Sequence, residues 1–354
     1  MISSPNLQAF QRSAMLWAVF TAVAFSAAIF PLSHAQASDA VPTVSYSYGD
    51  YPSYDIHTIK IDGTEDRALT SDGRSVGHGG WSPDGQRIVF VHGLSVPKPH
   101  SHDKEHGSQH SLELCVMNRD GSNSHVLLQR EGALNGPEFS LDGKTIIFNY
   151  TSDEELKNSS VRHQPPYSTY SMNADGTGEP RLLKQYATRG NLSPDGKMQV
   201  FLVLTDRLTL HVANADGSND HLLVDPATYS SALEPAWSPD GKRIAFAGTT
   251  SHQMFEKGFM NLQGIFTAKP DGSDVRQIAG NPDWFCGYPS WSPKGDHIAY
   301  SCNSVPGCSG HESSNGTTTP GPPCVHEMFV ISLKEHNAKP VPFGVGMAPE
   351  FSPR

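Results

Sequence analysis

The chain has 354 residues, with 26 Lys+Arg against 36 Asp+Glu and a formal net charge of −10. That balance excludes the basic face of a nucleic-acid binder. With 37% hydrophobic and 18% charged residues the composition is that of a folded, soluble domain, and the 32 Gly and 27 Pro point to many turns. At the N-terminus, residues 1–12 carry a single charge, Arg12, and an apolar run over residues 14–32 leads to Ala35-Gln36-Ala37. This is the order of a secretory signal peptide, expected to span residues 1–37. An uncleaved anchor is the alternative, because the run is nearly long enough to span a bilayer. Pro31 and the Ala-x-Ala site favour cleavage. The mature chain, residues 38–354, is then expected in the periplasm or outside the cell, with no stable membrane insertion.

The mature chain is one unit repeated. The phrase Trp81-Ser82-Pro83-Asp84-Gly85 returns as Phe139-Ser140-Leu141-Asp142-Gly143, Leu192-Ser193-Pro194-Asp195-Gly196, Trp237-Ser238-Pro239-Asp240-Gly241 and Trp291-Ser292-Pro293-Lys294-Gly295. A sixth copy opens at Phe351-Ser352-Pro353. The glycines stand 58, 53, 45 and 54 residues apart, the period of a propeller blade stretched by insertions. Pro presets the first corner of a type I turn and Gly takes the left-handed position, which predicts a three-residue hairpin loop with a Gly bulge. Strands are predicted after each copy, at residues 87–90, 145–148, 198–201, 243–246 and 297–300. A third strand in each unit ends in an Asp-Gly turn, at Asp120-Gly121, Asp175-Gly176, Asp216-Gly217 and Asp271-Gly272, and a short fourth follows. Each unit is therefore a four-stranded antiparallel meander that must stack on its neighbours. The C-terminus supplies only the first strand of the sixth unit. Residues 43–48, 54–61 and 67–70 supply the missing three. The fold class is all-β: a six-bladed β-propeller of four-stranded blades, closed by the N-terminal strands plus the C-terminal strand.

These repeats and Asp-Gly turns resemble the TolB-like family of six-bladed β-propellers, over residues 38–354. The TolB protein carries an α/β domain ahead of its propeller, whereas here the first strand begins soon after residue 37, so the resemblance implies a propeller alone. Propellers of this kind also precede the catalytic domain of prolyl-oligopeptidase-like peptidases. Oligogalacturonide lyases share a similar repeat, with a metal in the funnel.

In such a fold the second-to-third-strand and fourth-to-first-strand connections share one face. Those after Val91, Tyr150, Gly248 and Ser301 are long, and long loops on a rigid scaffold are a usual place for binding. Two candidate sites emerge. The first insertion holds His100, His102, His106 and His110, whose types and spacing suit a divalent metal; a solvated polar loop is the bland alternative. At the channel mouth, four residues before each turn Ser, stand His78, Gly136, Arg189, Glu234, Tyr288 and Ala348. His78, Arg189, Glu234 and Tyr288 there could supply an acid, a base and an anion clamp, or could be a solvated rim. Gly73-Arg74-Ser75-Val76-Gly77 matches a nucleophile pattern but lacks the strand-turn-helix setting that the motif needs.

Five cysteines are present. Placing Ser292 opposite Asp296 in a three-residue hairpin sets Cys286 opposite Cys302. Cys308–Cys324 would then close the following insertion, although four cysteines allow three pairings. Cys115 is expected as a buried lone thiol. The functional expectation is an exported module that binds a protein, peptide or glycan through its loop-rich face. The alternative is a metal-assisted lyase or hydrolase acting on a polysaccharide-type substrate in the axial funnel.

Overall fold

The computed structural model describes residues 41–49, 54–75, 80–94, 111–158, 167–184, 191–204, 208–255, 258–280, 285–303, 311–312, 318–319, 325–335 and 337–353. They belong to one compact unit, Val41–Arg354. Most of its described strands form antiparallel meanders, labelled here I to VI, while His311–Glu312 and Thr318–Thr319 pair as a separate two-stranded sheet. Meanders I and II share a strand and form one seven-stranded sheet. Meander I comprises Gly80–Trp81, Arg87–Gly93, Ser111–Asn118 and the first half of His125–Phe139. The second half of that strand opens II, followed by Thr145–Ser152, Ser168–Asn173 and Arg181–Lys184. The strand turns the corner at Gly132, with φ of 125°, where a Cβ would collide with the Thr151 carbonyl oxygen.

Meander III is Asn191–Leu192, Met198–Leu204, Leu208–Asn214 and His221–Leu222; IV is Tyr229–Trp237, Ile244–Phe255, Gly258–Ala268 and Arg276–Gly280. Meander V is Phe285–Trp291, His297–Asn303, His326–Ser332 and Val341–Val345. Meander VI joins the chain ends: Met347–Phe351 pairs with Thr43–Tyr48, which continues to Asp55–Lys60 and Arg67–Ala68. Val44 lies opposite Phe351 and Ser45 opposite Glu350. The expected second and third strands of IV also run further than the sequence suggested. They form a long hairpin, Phe255 opposite Gly258, in place of a loop after Gly248.

Alternation explains the stacking. Successive strand residues face opposite sides, so an inner strand apolar on both sides must be covered twice. In IV, Ile244 and Phe246 pack with Val200, Leu210 and Val212 of III. Ala245 and Ala247, one residue out of phase, pack with Cys286, Ile298 and Tyr300 of V. Similar buried layers join I to II around Leu114 and Phe148, V to VI around Met328 and Tyr46, and VI to I around Ile56 and Ile88. Burying a side chain of this size is worth about 1.5–3 kcal/mol.

The turns are stabilised by a repeated side-chain device. Ser238 Oγ donates to Asp240 Oδ1 at 2.7 Å and accepts from the Arg243 amide at 2.9 Å, while the Gly241 amide donates to the Ser238 carbonyl. The same bonds recur at Ser82, Ser140 and Ser193. At Ser292, where Lys294 replaces Asp, the carboxylate comes from Asp296 at 2.8 Å. This corrects the expected loop. The serine amide donates to the carbonyl five residues on, not four, so the loop holds four residues; the Ser hydroxyl takes the returning amide that a shorter turn would give to a carbonyl. Downstream, Ser152 and Glu155 form a capping box on the short helix Asp153–Asn158: the Ser152 amide donates to Glu155 Oε2 at 3.0 Å and the Glu155 amide to Ser152 Oγ at 3.3 Å.

Candidate functional site

The first strands of II, IV, V and VI break register at one place. Pairing skips Gly136-Pro137, Glu234-Pro235, Tyr288-Pro289 and Ala348-Pro349. Pro has no amide to give the ladder, so each dipeptide bulges out. The residue before each Pro takes a left-handed conformation: φ is 54° at Gly136, 54° at Glu234, 56° at Tyr288 and 52° at Ala348. For a residue with a Cβ this costs about 1–2 kcal/mol, and such strain gathers at functional sites.

Two of these bulges meet. The Tyr288 amide donates to Glu234 Oε2 at 2.6 Å, and the Tyr288 hydroxyl is bonded to the same carboxylate. The carboxylate rests on bare backbone: a Cβ on Gly287 would stand 2.5 Å from Glu234 Oε2. Burial raises the Glu234 carboxyl above its ordinary value, against the opposing pull of the Tyr288 bonds. The charge of Glu234, then burial and Tyr54, raise the Tyr288 phenol.

Both residues line a cavity of about 560 Å3 bordered by the first strands of II to VI. Glu138, Glu234 and Glu350 contribute carboxylates; Asn191 and Ser290 add polar groups; Pro235, Pro289 and Pro349 add apolar faces. Among the described lining residues none is basic. The cavity can therefore hold a cationic group between carboxylates, with proline and aromatic surface for its apolar part.

The disulfide braces this wall. Cys286 is bonded to Cys302, with Cα atoms 4.0 Å apart, directly before Gly287 and Tyr288. The pairing agrees with the sequence expectation, but its derivation does not. Near the turn Trp291 faces Ile298, one residue off the expected register, and the Tyr288-Pro289 bulge restores the offset by Cys286.

Of the four expected mouth residues, the structure brings Glu234 and Tyr288 together; His78 and Arg189 lie outside the described residues, as do His100, His102, His106, His110, Cys308 and Cys324. Among the described residues no group of three or more His, Cys, Asp and Glu could hold a metal ion. His92, at the strand end leading to the His-rich insertion, has both ring nitrogens engaged, with Asp72 Oδ2 at 2.8 Å and Glu113 Oε2 at 3.1 Å. Cys115 is a buried free thiol, pushed up to about 12 by burial and then by the charges of Glu113 and Asp72. Ser75 is fully buried in β-bridges to Tyr54 and His92 and presents no nucleophile. The sequence reading missed Gly287, Glu138 and Glu350. The recurring x-Pro dipeptide four residues before the turn Ser was the signal available for the bulges.

No family model matches the chain. It is 32% identical over 133 residues to dipeptidyl-peptidase 5 of Porphyromonas endodontalis, a match covering 35% of this chain and 18% of that protein. The chain thus spans less than a fifth of that relative. Among solved structures, TolB from Acinetobacter baumannii superposes with a TM-score of 0.60 at 16% identity, over 88% of this chain and 67% of that one. A structure from Agrobacterium tumefaciens assigned as TolB gives 0.53 at 15% identity, over 87% and 91%. At such identities the likeness concerns architecture alone, and the meanders described above are those of a TolB-like β-propeller.

Proposed function

We propose that this chain is an exported six-bladed propeller, closed by pairing of its end strands, that acts by binding. Its ligand is a peptide segment that places a cationic group, a lysine or arginine side chain or a free amine, in the axial cavity. One observation carries this reading: Glu234 is held in a left-handed bulge by Tyr288, its carboxyl desolvated by burial and with no basic partner among the described lining residues, beside Glu138 and Glu350. A buried carboxylate without a countercharge gains most from a ligand that brings one. The segment similarity to a dipeptidyl-peptidase supports a peptide over a glycan as the ligand class. Export rests on the leader-like residues 1–37, and the Cys286–Cys302 bond suits an oxidising compartment.

Calorimetric titration with short Lys-containing, neutral and Glu-containing peptides, and with oligogalacturonides, tests this. The Lys-containing peptide is expected to bind tightest, and Glu234→Gln to weaken it by about tenfold, the worth of one charge-assisted bond. Preference for acidic peptides or acidic sugars would overturn the reading.

A further inference from the structure

The repeat is broken at two neighbouring places. Five of the six residues directly before the turn Ser are aromatic, and the sixth is Leu192. Five of the six residues directly after it are Pro, and the sixth is Leu141. In IV and V the aromatic residue closes the seam to the preceding meander: Trp237 Nε1 donates to the Asn191 carbonyl of III at 2.8 Å, and Trp291 Nε1 to the Ala236 carbonyl of IV at 3.1 Å. Leu192, in III, has no ring to lay across the seam to II. Leu141 reaches that seam from the other side: a Cβ on Gly196, in the turn of III, would stand 3.8 Å from Leu141 Cδ1. Both leucines are open, Leu141 52% and Leu192 38% exposed.

The rest of this seam also differs from its counterparts. Buried apolar layers join III to IV, IV to V, V to VI, VI to I and I to II. Among the described residues none joins II to III. Ile146 and Phe148 pack toward I, so alternation turns Ile147, Asn149 and Thr151 toward III, a largely polar face. At its inner end Phe139, Leu141, Ile147, Leu192 and Pro194 form an apolar notch, and all five border the same cavity as Glu234 and Tyr288. Leu192 stands one residue before its turn Ser and Glu234 four before its own, and three residues of extended strand span about 10 Å. We propose that the notch between II and III seats an apolar side chain of the peptide ligand while the cationic group lies among the carboxylates. The inference rests on the peptide reading above and adds a sequence requirement: a leucine-sized residue about three positions from the basic one in an extended chain. Such a side chain takes its own surface and that of both leucines out of water.

Calorimetric titration with acetyl-Leu-Gly-Gly-Lys-amide and acetyl-Asn-Gly-Gly-Lys-amide provides the test, since Leu and Asn match in shape and differ in polarity. The Leu peptide is expected to bind about tenfold tighter. Leu192→Trp gives III the residue that IV and V carry at this place, fills the notch, and is expected to erase that ratio while leaving the Asn peptide's affinity unchanged. Leu141→Asn, a change at an exposed turn position that tolerates Asn, is expected to reduce the ratio and keeps the test sound should Leu192→Trp not fold. Equal affinities for the two peptides, or a ratio that persists undiminished in folded Leu192→Trp or in Leu141→Asn, overturns the notch alone. Replacing the peptide's Lys by Glu checks the cationic reading separately: binding that does not weaken, or no binding of either Lys peptide, overturns that reading and the notch proposal that rests on it.

Discussion

Glu234 is the residue on which the axial cavity turns, and its protonation is written into the stability of the fold. Burial raises its carboxyl above the ordinary value of 4.5. The folded protein therefore holds this proton at pH values where the unfolded chain has released it. Across that window the folded state binds more protons, so this residue's contribution to stability falls as pH rises. Glu234→Gln keeps an acceptor for the Tyr288 amide and removes the titration. The substituted protein is expected to gain stability relative to the unsubstituted one as pH rises above 4.5, measured by urea unfolding at a series of pH values. A difference that stays flat with pH, or that shrinks, would show that Glu234 is ionised in the folded state without penalty. The same titration links to binding: a cationic ligand favours the ionised form and is expected to bind better as pH rises through this window.

At the scale of single elements, the hairpin turn shows how a short phrase fixes geometry. Ser238 is 3% exposed and its hydroxyl serves the Arg243 amide and Asp240 at once. Ser238→Ala strands that amide and is expected to cost about 1–3 kcal/mol in denaturant unfolding, whereas Asp240→Ala, losing an acceptor at a solvated turn, is expected to cost less. Equal costs would mean that the Asp, not the Ser hydroxyl, organises the loop. Much of this was legible in sequence. The repeated S-P-D-G phrase located the turns, period-two alternation located strands covered on both faces, and the ends of the chain supplied complementary parts of one meander. The loop length was misjudged by one residue because a side-chain oxygen stands where a carbonyl was assumed, and hydrophobic pattern carries no trace of that substitution. The Cys286–Cys302 pair came out correctly because the neglected bulge at Tyr288-Pro289 cancelled that error. Of the candidate site, aligning the repeats singled out Glu234 and Tyr288, and the structure sets these two in contact. Gly287 was not legible, because a glycine that leaves room for a carboxylate from another meander looks like any other.

For the whole molecule, the question is what keeps a set of stacked meanders from splaying open. Each meander buries two faces, so a missing neighbour exposes an apolar layer, and the join between chain ends is where a neighbour is easiest to lose. Met347–Phe351 is that join. It pairs with Thr43–Tyr48, and two of its amides reach meander V: Phe351 N donates to Ser290 Oγ at 3.0 Å and Ala348 N to Ser301 Oγ at 3.3 Å. Ala348, Phe351 and Ser352 are all buried. A chain ending at Gly346 is therefore expected to lose more stability than a strand of this length would contribute at an ordinary edge, since Val44, Tyr46 and the left-handed bulge at Ala348 depend on it together. It is expected to unfold at lower urea concentration and to bind a hydrophobic dye before unfolding. Adding a synthetic peptide of residues 347–354 is expected to restore the urea midpoint and suppress dye binding, because the vacated slot offers both a strand edge and an apolar seat. A chain ending at Gly346 that is as stable as the one ending at Arg354 would show that the end strands do not close the fold. Loss of stability without rescue by the peptide would show that closure needs the covalent link between meanders V and VI rather than strand pairing alone.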